Sequence, residues 1–113
     1  MAERMRRVNE SVRQVLSEAL PELKDPRIGF VTVTGVETSA DLRHAKVFVS
    51  VLGSAKKREG TMDALAAAHG VLQARIAHEL RMKRTPQLTF AYDRSVEEGA
   101  RMSKLIDELV NEP

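Results

Sequence analysis

Apolar residues recur at two distinct periods along this 113-residue chain, and the switches between the periods mark its elements. From Met5 to Leu20 the spacing is helical. Met5, Val8, Val12, Val15, Leu16, Ala19 and Leu20 form one stripe, and Arg4, Arg6, Arg7 and Arg13 lie mostly off it. Pro21 stops or kinks this helix, and Asp25-Pro26 marks a turn. Residues 28–34, rich in β-branched side chains, predict a strand. A connector over 35–43, longer than a tight hairpin, leads to a second strand at 44–51. There Ala45, Val47, Val49 and Val51 share one face, and His44, Lys46, Phe48 and Ser50 share the other. The stretch from Gly53 to Gly60 predicts a loop with a basic centre, Lys56-Lys57-Arg58. From Thr61 to Leu80 the helical period returns at 62, 65, 68, 72, 76 and 80, with Thr61 as N-cap and Asp63 near the positive helix end. Gly70 interrupts that run. Glycine inside a helix costs about 1 kcal/mol against alanine, so the pattern predicts two helices meeting at a kink over Ala68-His69-Gly70. The basic segment Arg81-Met82-Lys83-Arg84 and Pro86 end the second helix. Residues 87–92 alternate again, with Leu88, Phe90 and Tyr92 on one face. Ser95-x-x-Glu98 reads as a capping box opening a last helix through Val96, Met102, Leu105, Ile106, Leu109 and Val110.

The order is therefore α-β-β-α-α-β-α, with a kink between the two central helices. Three strands with helices on one face make a single two-layer α+β domain over residues 1–113. An RNA-recognition fold needs a βαββαβ order, and a double-stranded-RNA-binding domain needs three consecutive strands. A type II KH arrangement fits instead. The usual KH domain approaches four backbone nucleotides through Gly-x-x-Gly. This chain has no Gly-x-x-Gly, and Ala68-His69-Gly70 makes a tighter joint with fewer free backbone amides. That points to a shape-dependent site in place of ordinary single-strand binding.

Composition narrows the function. With no cysteine there are no disulfides, thiolate metal sites or cysteine nucleophile. No apolar stretch approaches the roughly 20 residues needed to span a bilayer. Arg4, Arg6 and Arg7 are followed by Val8-Asn9-Glu10 and not by an apolar block, so the pattern reads as soluble and cytoplasmic. The net charge of +2 conceals an asymmetry: residues 1–92 carry 15 basic and 10 acidic side chains, whereas residues 93–113 carry three and six. Nucleotide-binding glycine loops and a Gly-x-Ser-x-Gly elbow are absent. His44 stands alone, and His69 and His78 are nine residues apart. The expectation is a protein with no catalytic site, metal or cofactor. The basic clusters have two readings each: Arg4, Arg6 and Arg7 as an RNA arm or a frayed terminus; Lys56, Lys57 and Arg58 as a phosphate grip or a solvated loop; Arg81, Lys83 and Arg84 as RNA contacts or partners of the helix dipole. The aromatics Phe30, Phe48, Phe90 and Tyr92 all fall in predicted strands. Phe90 suits the core, and Phe48 is the best placed for exposure and base stacking.

Several motifs, in order, resemble the ribosome-binding factor A family over about Arg6 to Val110. They are Asp25-Pro26-Arg27-Ile28-Gly29, Ser39-x-Asp41-Leu42-x-x-Ala45-Lys46-Val47-x-Val49, the Ala68-x-Gly70 kink, Pro86-x-Leu88-x-Phe90-x-Tyr92-Asp93-x-Ser95, and Gly99-x-Arg101-Met102-Ser103. The resemblance implies a type II KH fold with an Ala-x-Gly kink. It implies binding to free 30S subunits, not 70S ribosomes, through 16S rRNA in the neck near the decoding centre. It further implies a role in late subunit maturation, 16S 5′-end processing and growth in the cold, with assembly GTPases acting alongside. The RNA-facing set expected on this basis is Arg4, Arg6, Arg7, Arg43, Lys46, Lys56, Lys57, Arg58, Ala68, His69, Gly70, Arg75, Arg81, Lys83 and Arg84, on a monomer with no membrane attachment. The alternatives are a generic single-stranded-RNA-binding KH module, a protein adaptor with a solvated basic surface, and a small enzyme.

Overall fold

A computed structural model describes residues 2–95 together with 105, 106 and 109. Its elements are helix α1 (Ala2–Ala19), a short 3-10 turn (Leu20–Glu22), strands β1 (Val31–Thr38) and β2 (His44–Val51), helices α2 (Ala55–Ala67) and α3 (His69–Leu80), and strand β3 (Gln87–Tyr92). The sheet order is β1-β2-β3, with β1 antiparallel and β3 parallel to β2. This is the expected α+β, KH-like layout: a mixed three-stranded sheet carrying its helices on one face. The final predicted helix falls almost wholly outside the described residues.

The core forms where the two periods meet. Val12, Leu16 and Ala19 of α1, Leu65 of α2, and Leu72 and Ile76 of α3 pack on Val33, Val47, Val49 and Leu88 of the sheet. The alternation of β2 emerges as expected, with Ala45, Val47, Val49 and Val51 buried and His44 and Lys46 exposed. Two side chains tie helix to strand. Asn9 Oδ1 accepts hydrogen bonds from the backbone N–H and the hydroxyl of Thr38. Gln73 donates to the Pro86 carbonyl and accepts from the Leu88 N–H, which places β3 against α3.

Four boundaries differ from the sequence reading. The first strand runs over Val31–Thr38, not 28–34, and a bulge at Thr34 shifts its phase: Val31 and Val33 face inward before it, Val36 and Thr38 after it. The connector is consequently a five-residue turn, Ser39 to Arg43, held by Asp41 Oδ1. That oxygen accepts the Ser39 hydroxyl at 2.6 Å and the Arg43 N–H at 3.0 Å, while Leu42 takes φ 60°. Helix α2 begins at Ala55. Ser54, not Thr61, is its N-cap, its hydroxyl accepting from the Lys57 N–H at 3.2 Å, so residues 55–60 are helix and not loop. Asp93, not Ser95, caps the turn after β3: its Oδ1 accepts both the N–H and the hydroxyl of Ser95. Pro21 is absorbed in the first positions of the 3-10 turn, where its missing N–H costs no hydrogen bond.

Candidate nucleic-acid interface

The helical break is at Ala68, whose φ −84° and ψ 1° leave the α region. Gly70 sits within the first turn of α3. A methyl group built there would meet nothing within 4 Å, so helix packing does not require glycine at this position. Beside the break, His69 lines a cleft of about 370 Å³ with Met62, Asp63, Ala66 and the β3 residues Gln87 to Phe90. Its Nε2 is buried without a hydrogen-bond partner. The kink thus presents an exposed glycine backbone beside the cleft along the sheet edge formed by β3, with the His69 ring forming part of the cleft wall.

The basic candidates fall into two groups at opposite ends of the sheet. At one end, Arg7 shares a cleft with Leu80 and Met82, Asn9 is bonded to Thr38, and the Arg43 carbonyl accepts from the Gln87 N–H at 2.8 Å. Arg4, Arg6 and Arg7 of α1, Arg43 of the hairpin, and Arg81, Lys83 and Arg84 after α3 therefore converge there, all exposed. Lys46 projects from the uncovered face of β2 near this end, its ammonium 5.3 Å from the Phe48 ring centroid. At the other end stand Lys56, Lys57 and Arg58. Eight-residue strands at about 3.3 Å per residue separate the two ends by about 23 Å.

The second group is electrostatically misplaced for folding. These three cations occupy the first turn of α2, which contains no acidic residue, and they face the positive end of the helix dipole. Each such cation costs a few tenths of a kcal/mol or more. Arg58 is held 4.5 Å over the Tyr92 ring. Lys56 and Lys57 meet no carboxylate among the described residues. Arg75 differs from Lys56 and Lys57. It donates to Glu22 and Glu79 at 2.6 Å each, which raises its own affinity for the proton and lowers the Glu22 pKa.

Three residues near this second group have roles that the sequence reading did not assign to them. Phe30 precedes β1 and is 80% exposed, far more than Phe48. Thr61 is fully buried: its hydroxyl donates to the Arg27 carbonyl at 3.1 Å and accepts from the Gly29 N–H at 3.4 Å, which anchors the Asp25–Gly29 turn to α2. Asp25 holds that turn from within, accepting the guanidinium of Arg27 at 2.7 Å and its backbone N–H at 2.9 Å, and both contacts depress the Asp25 pKa. The usable signal was the pair of glycines, Gly29 and Gly53, beside the strand ends.

Residues 4–106 match the family model of ribosome-binding factor A. This chain belongs to that family. A ribosome-binding factor A from Halothermothrix orenii is 46% identical over 111 residues, covering 97% of this chain and 91% of the relative. The crystal structure of ribosome-binding factor A from Thermus thermophilus superposes with a TM-score of 0.72 at 31% identity, over 80% of this chain and 98% of its own. A homology model of ribosome-binding factor A from Thermus thermophilus, fitted into the cryo-electron-microscopy map of a 30S complex, gives a TM-score of 0.66 at 32% identity, over 76% and 91%. The mixed three-stranded sheet and the helices packed on it are thus family architecture.

Proposed function

We propose that this protein binds the free 30S ribosomal subunit through 16S rRNA and acts without catalysis in late subunit maturation. The observation that carries the reading is the homologue fitted into a 30S complex, which shares the fold and nearly a third of its residues with this chain. The geometry supplies what such binding needs. Cations at both ends of the sheet neutralise phosphates, and the kink beside β3 offers shape selection. Arg4, Arg6, Arg7, Arg43, Lys46, Lys56, Lys57, Arg58, Arg81, Lys83 and Arg84 are the phosphate contacts on this reading, with Ala68, His69 and Gly70 shaping the surface. Arg75, balanced by two carboxylates, adds less. The mechanism is a population shift: the protein favours one arrangement of immature rRNA by its differential affinity for that arrangement and by no more. Support of 16S 5′-end processing and of growth in the cold follows from favouring that arrangement, and release is the task of assembly GTPases. The protein works as a cytoplasmic monomer; among the described residues no helix is long and apolar enough to cross a membrane.

Sedimentation with purified ribosomal particles through sucrose gradients at low and moderate salt tests this. Comigration with 30S, and not with 50S or 70S, is the expected result. A folded protein that stays at the top of the gradient with every particle removes the reading.

A further inference from the structure

Phe30 and Leu52 extend the β1–β2 ladder by one step: the Leu52 N–H donates to the Phe30 carbonyl at 3.1 Å, next to the Val31–Val51 pair. Val31 and Val51 pack toward the core, while Phe30 and Leu52 are 80% and 72% exposed. Two large apolar side chains left in water on one rung of a sheet mark a contact. Lysine lies beside them. The stem of Lys57 crosses Gly29 and Gly53, the residues flanking Phe30 and Leu52 in the chain. A methyl at Gly29 would lie 3.1 Å from Lys57 Cε, and one at Gly53 3.0 Å from Cδ. Two glycines thus leave the track on which this lysine lies, one residue from Phe30 and one from Leu52, and Thr61 anchors the Gly29 side of that track. Next to the ring opens a cleft of about 290 Å³ lined by Leu20, Pro21, Leu23 and Ile28. Of the nearby carboxylates, Glu22 is engaged by Arg75 and Asp25 by Arg27.

We infer that Phe30 and Lys57 form a nucleotide-binding site for an unstacked RNA residue, the base stacking on Phe30 and its phosphate held by Lys57 and Lys56. An apolar plate with uncompensated cations at its rim matches a base and its phosphate; a neutral protein segment would leave the lysines unpaired. The Lys57 amide plays no part, since the Ser54 hydroxyl already accepts from it. The site deepens the proposed function and rests on it.

Equilibrium binding of the whole protein to purified 30S subunits at several salt concentrations is the test, using Phe30→Ala, Phe30→Leu, Phe30→Trp and Lys57→Gln. Losing a base stack weakens binding by about 5- to 150-fold on alanine substitution. Phe30→Ala and Phe30→Leu are expected to lose affinity on that scale at an unchanged salt slope, Phe30→Trp to retain it, and Lys57→Gln to lower the log–log slope by about one. Both side chains are exposed, so the melting temperatures of all four variants are expected to stay within a few degrees of wild type. Undiminished affinity of Phe30→Ala overturns this site and leaves the 30S reading standing. Full affinity of Phe30→Leu with loss in Phe30→Ala overturns it in favour of a protein partner. Failure of the wild type to bind 30S overturns both.

Discussion

A single hydroxyl, that of Thr61, carries the join between the Asp25–Gly29 turn and α2. It has no solvent exposure, so the Arg27 carbonyl and Gly29 N–H cannot exchange it for water without opening the core. Thr61→Val keeps the volume and removes both bonds. It is expected to destabilise the fold by about 1–3 kcal/mol, measured by urea unfolding, and Thr61→Ser is expected to recover most of the loss. Asp93 plays the matching part at the end of β3. One carboxylate oxygen accepts from Ser95 and the other from the Thr34 hydroxyl at the bulge, and these bonds lower its pKa. A carboxylate with a depressed folded pKa adds stability that is fully present above its unfolded value of about 3.9 and is lost as pH falls through the folded value. Wild type is therefore expected to exceed Asp93→Asn in urea midpoint at pH 7, and the gap to close as the pH is lowered from about 5 toward about 2. A gap independent of pH would mean that the anion is not what these hydroxyls recognise.

At the level of elements, the sequence was readable where one period ran undisturbed and misleading where a local device reset it. The alternation of β2 and the stripe of α1 gave the correct faces because nearly all of their inward positions are apolar, Asn9 of α1 being the polar exception that bonds Thr38. The first strand slipped, and the bulge at Thr34 breaks the two-residue period, which no count of alternating positions can recover. Residues 55–60 read as loop because Lys-Lys-Arg-Glu-Gly lacks an apolar stripe; Ser54 and the buried Thr61 make it helix, and tertiary contact at Thr61 is invisible in the chain alone. For the same reason the helix-end placement of Lys56, Lys57 and Arg58 was not legible in the sequence. The Gly70 reading divides cleanly. The break was legible, yet it is Ala68 that leaves the helical region, and Gly70 has helical neighbours and open space around it. Gly70→Ala is therefore expected to stabilise α3 by about 0.5–1 kcal/mol in thermal unfolding. If glycine stands there so that RNA backbone can approach, the same variant binds 30S more weakly while melting higher. A variant that melts higher and binds as well as wild type would leave the glycine without a role in recognition.

Over the whole molecule, the two basic ends pose a question of geometry. A small contact would use one end, and a face lying along rRNA would use both, spanning about 23 Å of the sheet. Each phosphate neutralised contributes roughly 0.7 to 0.9 to the slope of log affinity against log salt. Replacing Lys56, Lys57 and Arg58 together should then flatten the slope by about two to three, and replacing Arg81, Lys83 and Arg84 should do the same. Groups more than about 10 Å apart with no shared partner act additively, so the sextuple variant should lose the sum of the two free energies and about five units of slope. Binding isotherms on 30S subunits at several salt concentrations check this. If only one triple variant changes the slope, the contact is confined to that end, and the other cluster serves solubility. If both change it but the combination falls short of the sum, the ends compete for alternative placements on the subunit. Full additivity identifies one extended face, with the β3 edge and the Ala68 break between its two anchors.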